Sequence, residues 1–157
     1  MAEFSTSIDI EAPPEIVFAH LTTAEGMVAW MGQYADLNPT PGGAFTVDIN
    51  GVPVRGEYVE VEAPRRVVVS WGMAGSADLP PGASRVEFTL TATATGTRLD
   101  LVHSGLPGIL ADRHATGWAH FLARLAVAAT GADPTPDPWA LPAPETTPVP
   151  APEAAEG

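Results

Sequence analysis

Four histidines, at positions 20, 103, 114 and 120, are the residues of this chain best suited to moving a proton or anchoring a polar ligand. His103 closes a run in which Leu99 and Leu101 alternate with Arg98 and Asp100, so a strand there turns its imidazole to the apolar side. In that position it can act as a general base or as a ligand anchor. The plainer alternative is a structural histidine holding the Ser104-Gly105 turn. A buried polar group left alone costs ~1–3 kcal/mol, so a partner is expected either way. His114 precedes Trp118 by one helical turn and is expected at the rim of the same space, facing His103; its plainer alternative is a helix-end contact. His120 is displaced from His114 by about 120° around a helix, so the two cannot share a metal ion. His20 falls in an early helix and is expected to be partly exposed.

Other chemistries lack their residues. The chain has no cysteine, no H-x-x-x-H pair and no H-E-x-x-H, so no metal, disulfide or thiol nucleophile is expected. There is no G-x-S-x-G, and Ser104 has no recognisable base and acid beside it. Gly42-Gly43 lacks the rest of a phosphate loop and reads as a turn. No cofactor is expected.

The aromatic residues give a different signal. Trp30, Phe45, Trp71, Phe88 and Trp118 all fall on inward faces by periodicity, as do Val47, Leu101 and Leu122. An apolar, aromatic lining with few polar groups is what a small-molecule pocket needs, and it is equally what an ordinary core contains. Trp71 and Trp118 are the best placed of these for lining, with Met31 and Met73 as adaptable walls. The expected ligand-binding set is therefore these aromatics with Val47, Met73, Leu101, Leu122, His103 and His114.

The elements that must position them follow from the pattern. Residues 3–10 alternate as a strand; Pro13-Pro14-Glu15 then opens a short helix, and a second runs on to Trp30. Phe45, Val47 and Ile49 lead into Asn50-Gly51, a strong hairpin signal, with a return strand over 52–61. Further alternating runs end at Met73, Leu90 and His103. The Gly- and Pro-rich loop 74–83 is a candidate gate over a cavity, or an ordinary hairpin loop. From about Gly108 to Thr130, Ala115, Trp118, Ala119, Leu122, Leu125, Ala126 and Ala129 form one apolar stripe of a long helix. The expected fold is α+β: a curved six-stranded antiparallel sheet wrapped around a long C-terminal helix, with two short helices after strand 1. A bent sheet over a straight helix leaves a gap, which large side chains fill or a cavity occupies.

This domain should cover residues 1–130. Residues 131–157 carry a Pro at nearly every third or fourth place and read as a disordered, acidic, Pro-rich tail in which Trp139 and Leu141 can dock back. The net charge is −12 and every basic residue is Arg. Such a surface repels phosphate, so no nucleic acid is expected as partner. Nothing approaches the ~20 apolar residues of a membrane span, and the polar start Met1–Ser7 does not read as a signal peptide, so a cytoplasmic location is expected. An exposed edge strand makes a homodimer the expected self-association.

Several stretches together resemble a known family. They are Ala12-Pro13-Pro14-Glu15-Ile16-Val17-Phe18 with Trp30, then Pro41-Gly42-Gly43-Ala44-Phe45, then Gly56-Glu57-Tyr58 with Pro64-Arg65-Arg66 and Ser70-Trp71. Gly96-Thr97-Arg98-Leu99, His103-Ser104-Gly105-Leu106 and His114 with Gly117-Trp118 complete the set. Over about residues 3–128 their order and spacing resemble the activator-of-heat-shock-protein-90-ATPase homologues of the START-like (SRPBCC) superfamily. The resemblance implies a helix-grip fold with a pocket between sheet and long helix. It does not imply one activity, because fold and function separate in this superfamily of lipid carriers, hormone receptors, aromatase/cyclases and co-chaperone domains. Three functions stay open: binding of a small apolar or aromatic molecule, a cofactor-free polyketide cyclase-like reaction using His103, and a chaperone- or regulator-associated interaction domain.

Overall fold

The computed structural model describes residues 2–134 and Asp137. The chain runs β1 (Ala2–Ile10), α1 (Pro14–Thr22), α2 (Ala24–Val28), β2 (Tyr34–Leu37), β3 (Ala44–Ile49), β4 (Val52–Glu62), β5 (Arg66–Met73), β6 (Ser84–Ala92), β7 (Thr97–Leu106) and α3 (Gly108–Ala128). The strands form one sheet in the order β1-β7-β6-β5-β4-β3-β2, every pair antiparallel.

The sheet has seven strands where the sequence pattern suggested six. The addition is β2, a four-residue edge strand that pairs Ala35 with Val47 and Leu37 with Phe45. Only two half-buried apolar residues mark it, too few to establish a period.

Turn chemistry sets the register. Asn50 and Gly51 both have positive φ, 53° and 87°, and Ile49 pairs directly with Val52, so they form the two-residue turn that matches strand twist. Further along β4, the pairing with β5 shifts between Tyr58 and Glu60. An extra residue there bends the strand and increases its twist.

One face of the sheet is apolar on every long strand. Phe45 and Val47 on β3, Val67, Val69 and Trp71 on β5, Val86, Phe88 and Leu90 on β6, and Leu99 and Leu101 on β7 are all buried. The helix α3 meets this face with Trp118, Phe121, Leu122, Leu125, Ala128 and Ala129. That stripe differs from the expected one: Phe121 is buried while Ala119 is exposed. Burial at ~25 cal/mol per Å² of apolar surface is what holds helix to sheet.

Polar ties fix the small helices against the core. Trp30 donates its indole N–H to the His20 carbonyl at 2.9 Å, and its own carbonyl accepts from Arg124 Nε at 3.2 Å. Tyr58 donates its hydroxyl to the Leu21 carbonyl at 2.9 Å, and burial raises its pKa. Beyond α3, Arg124 Nη1 donates to the Pro134 carbonyl at 3.4 Å and His120 Nε2 meets Asp137 Oδ1 at 2.7 Å, so the start of the Pro-rich segment runs back along the helix. Trp139 and Leu141 lie outside the described residues. Among the described residues, no helix is long and apolar enough to cross a membrane.

Candidate functional site

Strand register brings three polar groups together under α3. Trp71 on β5 pairs with Ser84 on β6, and Val86, two residues on, pairs with His103 on β7. Side chains alternate along a strand, so Trp71, Ser84 and His103 share the inner face. From the helix, Trp118 reaches down to the same spot, with His114 one turn earlier.

The hydrogen bonds there run in one direction. Trp118 Nε1 donates to His103 Nδ1 at 3.0 Å. An indole nitrogen is donor only, so His103 Nδ1 is the bare nitrogen and the proton sits on Nε2. His103 Nε2 donates to Ser84 Oγ at 2.9 Å, and Ser84 Oγ donates to the Trp71 carbonyl at 2.7 Å. Both imidazole nitrogens are thereby used, and the His103 side chain is fully buried. Burial pushes its pKa down to about 3, and the neighbouring His114 adds to the effect. The ring packs edge-on against Trp71 at 5.7 Å and His114 at 5.0 Å.

Above this layer lies a cavity of about 260 Å³. Its walls are Met31, Ile49, Val54, Trp71, Met73, Trp118 and Phe121, and exposed Val52 and exposed Arg113 also border it. Gly117 lines it too, and a Cβ added there would meet no atom within 4 Å.

The polar residues of the lining are Asn50, Arg113 and His114, with the indole of Trp71 in the wall. Trp71 is 5 % exposed, and its Nε1 is the one buried side-chain polar atom among the described residues with no hydrogen-bond partner. His114 Nδ1 bonds the Leu110 carbonyl at 3.0 Å and must carry the proton, which leaves Nε2 as a bare acceptor in the neutral ring. Burial lowers the His114 pKa, partly opposed by that backbone bond, and so keeps the ring neutral. Among the described residues, no three metal-ligating side chains cluster.

The family model for Activator of Hsp90 ATPase homolog 1-like protein matches residues 11–130. The chain belongs to this family. Its members are part of the START-like superfamily, whose helix grip is the arrangement of sheet and α3 described above. Among solved structures, the AHSA1-like protein of Rhizobium etli is 40% identical over 87% of this chain and 87% of that one, with a TM-score of 0.70. DynU16, from the dynemicin biosynthetic locus, is 27% identical over 86% of this chain and 50% of its own, with a TM-score of 0.73. The Aha1 dimer of Colwellia psychrerythraea is 22% identical over 82% of this chain and 96% of that one, at a TM-score of 0.70, and shows the shared fold alone. No curated protein matches the chain.

Within this family fold, the eleven residues expected at the site take different places. Trp71, Met73, His114 and Trp118 line the cavity. Phe45 and Phe88 stand behind them, Phe45 5.9 Å from Trp71 and Phe88 5.9 Å from Trp118. Trp30, Val47, Leu101 and Leu122 are core residues away from the lining. His103 is not among the lining residues, and Ser84 and Trp118 occupy both its nitrogens. No residue of the 74–83 loop lines the cavity, and its Leu79 is fully buried. Sequence reasoning missed Ile49, Val54 and Phe121 as walls and Ser84 as the anchor of His103. The turn at Asn50-Gly51 was the available signal for the first two, since it places the hairpin tip beside the helix.

Proposed function

We propose that this chain binds a small apolar molecule in the cavity between α3 and the β3–β5 strands. The observation that carries the reading is a cavity of about 260 Å³ whose lining is almost wholly apolar and aromatic. The size also suits the reading. Cavities of ~150 Å³ already accept benzene, and ordinary ligand sites begin near ~300 Å³. The cytoplasmic location expected above is part of the proposal.

A thermal-shift screen with one-ring aromatic compounds tests it. Binding at a hundredfold excess over Kd adds ~2.7 kcal/mol, which raises the melting temperature by several degrees. An unchanged melting temperature across the whole panel would remove the proposal.

One observation favours a second reading, a cofactor-free cyclase-like reaction on a polyketide-like carbonyl compound. His114, with its bare Nε2, borders the cavity and can accept a proton from a bound substrate, a role the sequence had suggested for His103. The likeness to DynU16 is in keeping with it. Turnover that disappears in His114→Ala while binding persists would separate it from simple binding.

The homodimer expected from the sequence belongs here as well. β1 and β2 are the two edges of the sheet, and an edge strand can pair with a second copy. Light scattering at two protein concentrations decides between monomer and dimer.

A further inference from the structure

We infer that the carboxylate of Asp137 is a latch between α3 and the turn of the β3–β4 hairpin, and that its release sets how fast a small molecule enters and leaves the cavity. The inference rests on the ligand-binding reading and adds to it a control of exchange by the start of the Pro-rich segment.

The need for a latch follows from how α3 lies on the sheet. Among the strands, β1 is the one whose backbone α3 approaches closely. The cavity is bordered by Ile49, Asn50 and Val52 on the hairpin and by Gly117 and Phe121 on α3. Helix and hairpin are therefore joined across side chains and open space rather than by close backbone packing.

Asp137 ties the two together. Its Oδ1 accepts from His120 Nε2 at 2.7 Å, and its Oδ2 accepts from Asn50 Nδ2 at 3.4 Å. His120 directly precedes Phe121 on α3, with the two rings 4.9 Å apart, and Asn50 is itself a lining residue. Both anchors are held in orientation. Gln33 Nε2 donates to Asn50 Oδ1 at 2.9 Å, and Gln33 Oε1 accepts from the Asn50 backbone N–H at 2.7 Å. The Asn50 side-chain oxygen is thus taken, and its NH₂ turns to the carboxylate. One turn beyond His120, Arg124 Nη1 donates to the Pro134 carbonyl and keeps the approaching chain against α3. The Asp137 side chain is 6 % exposed. A carboxylate that deep is stable only while hydrogen-bonded, so it is either bonded in place or returned to water.

Asp137 is not among the lining residues. It holds the frame of the cavity and not its contents. Removing it lowers the barrier to opening and leaves the contacts of the bound molecule as they were. Entry and exit then quicken by the same factor, and Kd stays.

Toluene titrated into the full chain labelled at its methionine methyls tests the latch. Met31 and Met73 line the cavity and report binding, whereas buried Met27 does not line it and reports that the fold is intact. Line shapes across the titration give Kd and the exit rate, and from these the entry rate. In Asp137→Ala both rates should rise about tenfold while Kd stays within about threefold and the Met27 signal keeps its position. An unchanged entry rate, with or without weaker binding, would overturn the latch and leave the cavity as the binding site. Met31 and Met73 signals that ignore toluene in both proteins would overturn the latch and the ligand-binding reading together.

Discussion

Trp118 Nε1 donates to His103 Nδ1 at 3.0 Å, and this one bond decides the protonation state of the most deeply buried histidine. It commits the proton to Nε2 and, through Ser84, ties α3 to β5, β6 and β7. The same bond removes His103 from contact chemistry, so the first prediction concerns stability.

Replacing His103 with Ala should cost about 2–4 kcal/mol in urea unfolding, because it strands the Trp118 donor, frees Ser84 and opens a void. The loss should be of stability first, with weaker ligand binding as a consequence of a loosened wall. A cost below about 0.5 kcal/mol would show that the relay is not formed.

Stability should fall as the solution is acidified. The folded-state pKa of His103 is about 3, below the ~6.5 of an unfolded histidine, so between these values the unfolded chain binds the proton more readily. Stability due to this group is complete above about pH 6.5 and declines as pH drops towards 3, with a slope of at most ~1.4 kcal/mol per pH unit. His114, also lowered, adds in the same direction. Unfolding curves at several pH values check the sign, and the acid slope should shrink in His103→Phe relative to the unmodified chain.

Gly117 and Gly72 should respond in opposite ways to a methyl group. Gly117 sits in the middle of α3 with open space beside it, so Gly117→Ala should stabilise by about 0.5–1 kcal/mol. Gly117→Leu should occupy the cavity and abolish ligand binding while the fold persists. At Gly72 a Cβ would overlap the Pro80 carbonyl, so Gly72→Ala should destabilise by about 1–3 kcal/mol as the 74–83 loop is pushed off β5. Melting temperatures of the three variants, with a binding assay on Gly117→Leu, check these outcomes.

The contrast between His103 and His114 shows how far the sequence could be read. The inward turn of His103 was legible because a strand alternates strictly, and the length of α3 was legible because its apolar stripe persists to Ala129. The bonds of His103 were not, since Ser84 and Trp118 stand 19 and 15 residues away and meet it only through register and helix placement. The cavity walls divide in the same way. Trp71 and Trp118 follow from period, whereas Ile49 and Val54 line the space because the tight Asn50-Gly51 turn carries the hairpin tip under the helix. The edge strand β2 escaped because four residues with two modest apolar side chains hold no reliable alternation.

The indole proton of Trp71 gives the most direct test of the account. In a nitrogen–proton correlation spectrum of the labelled chain, titration with a one-ring aromatic compound should move the Nε1–H signals of Trp71 and Trp118, which both line the cavity. The Trp30 signal, bonded to the His20 carbonyl and away from the lining, should move far less. A Trp71 signal that stays fixed at millimolar ligand would contradict the claim that this cavity is the binding site.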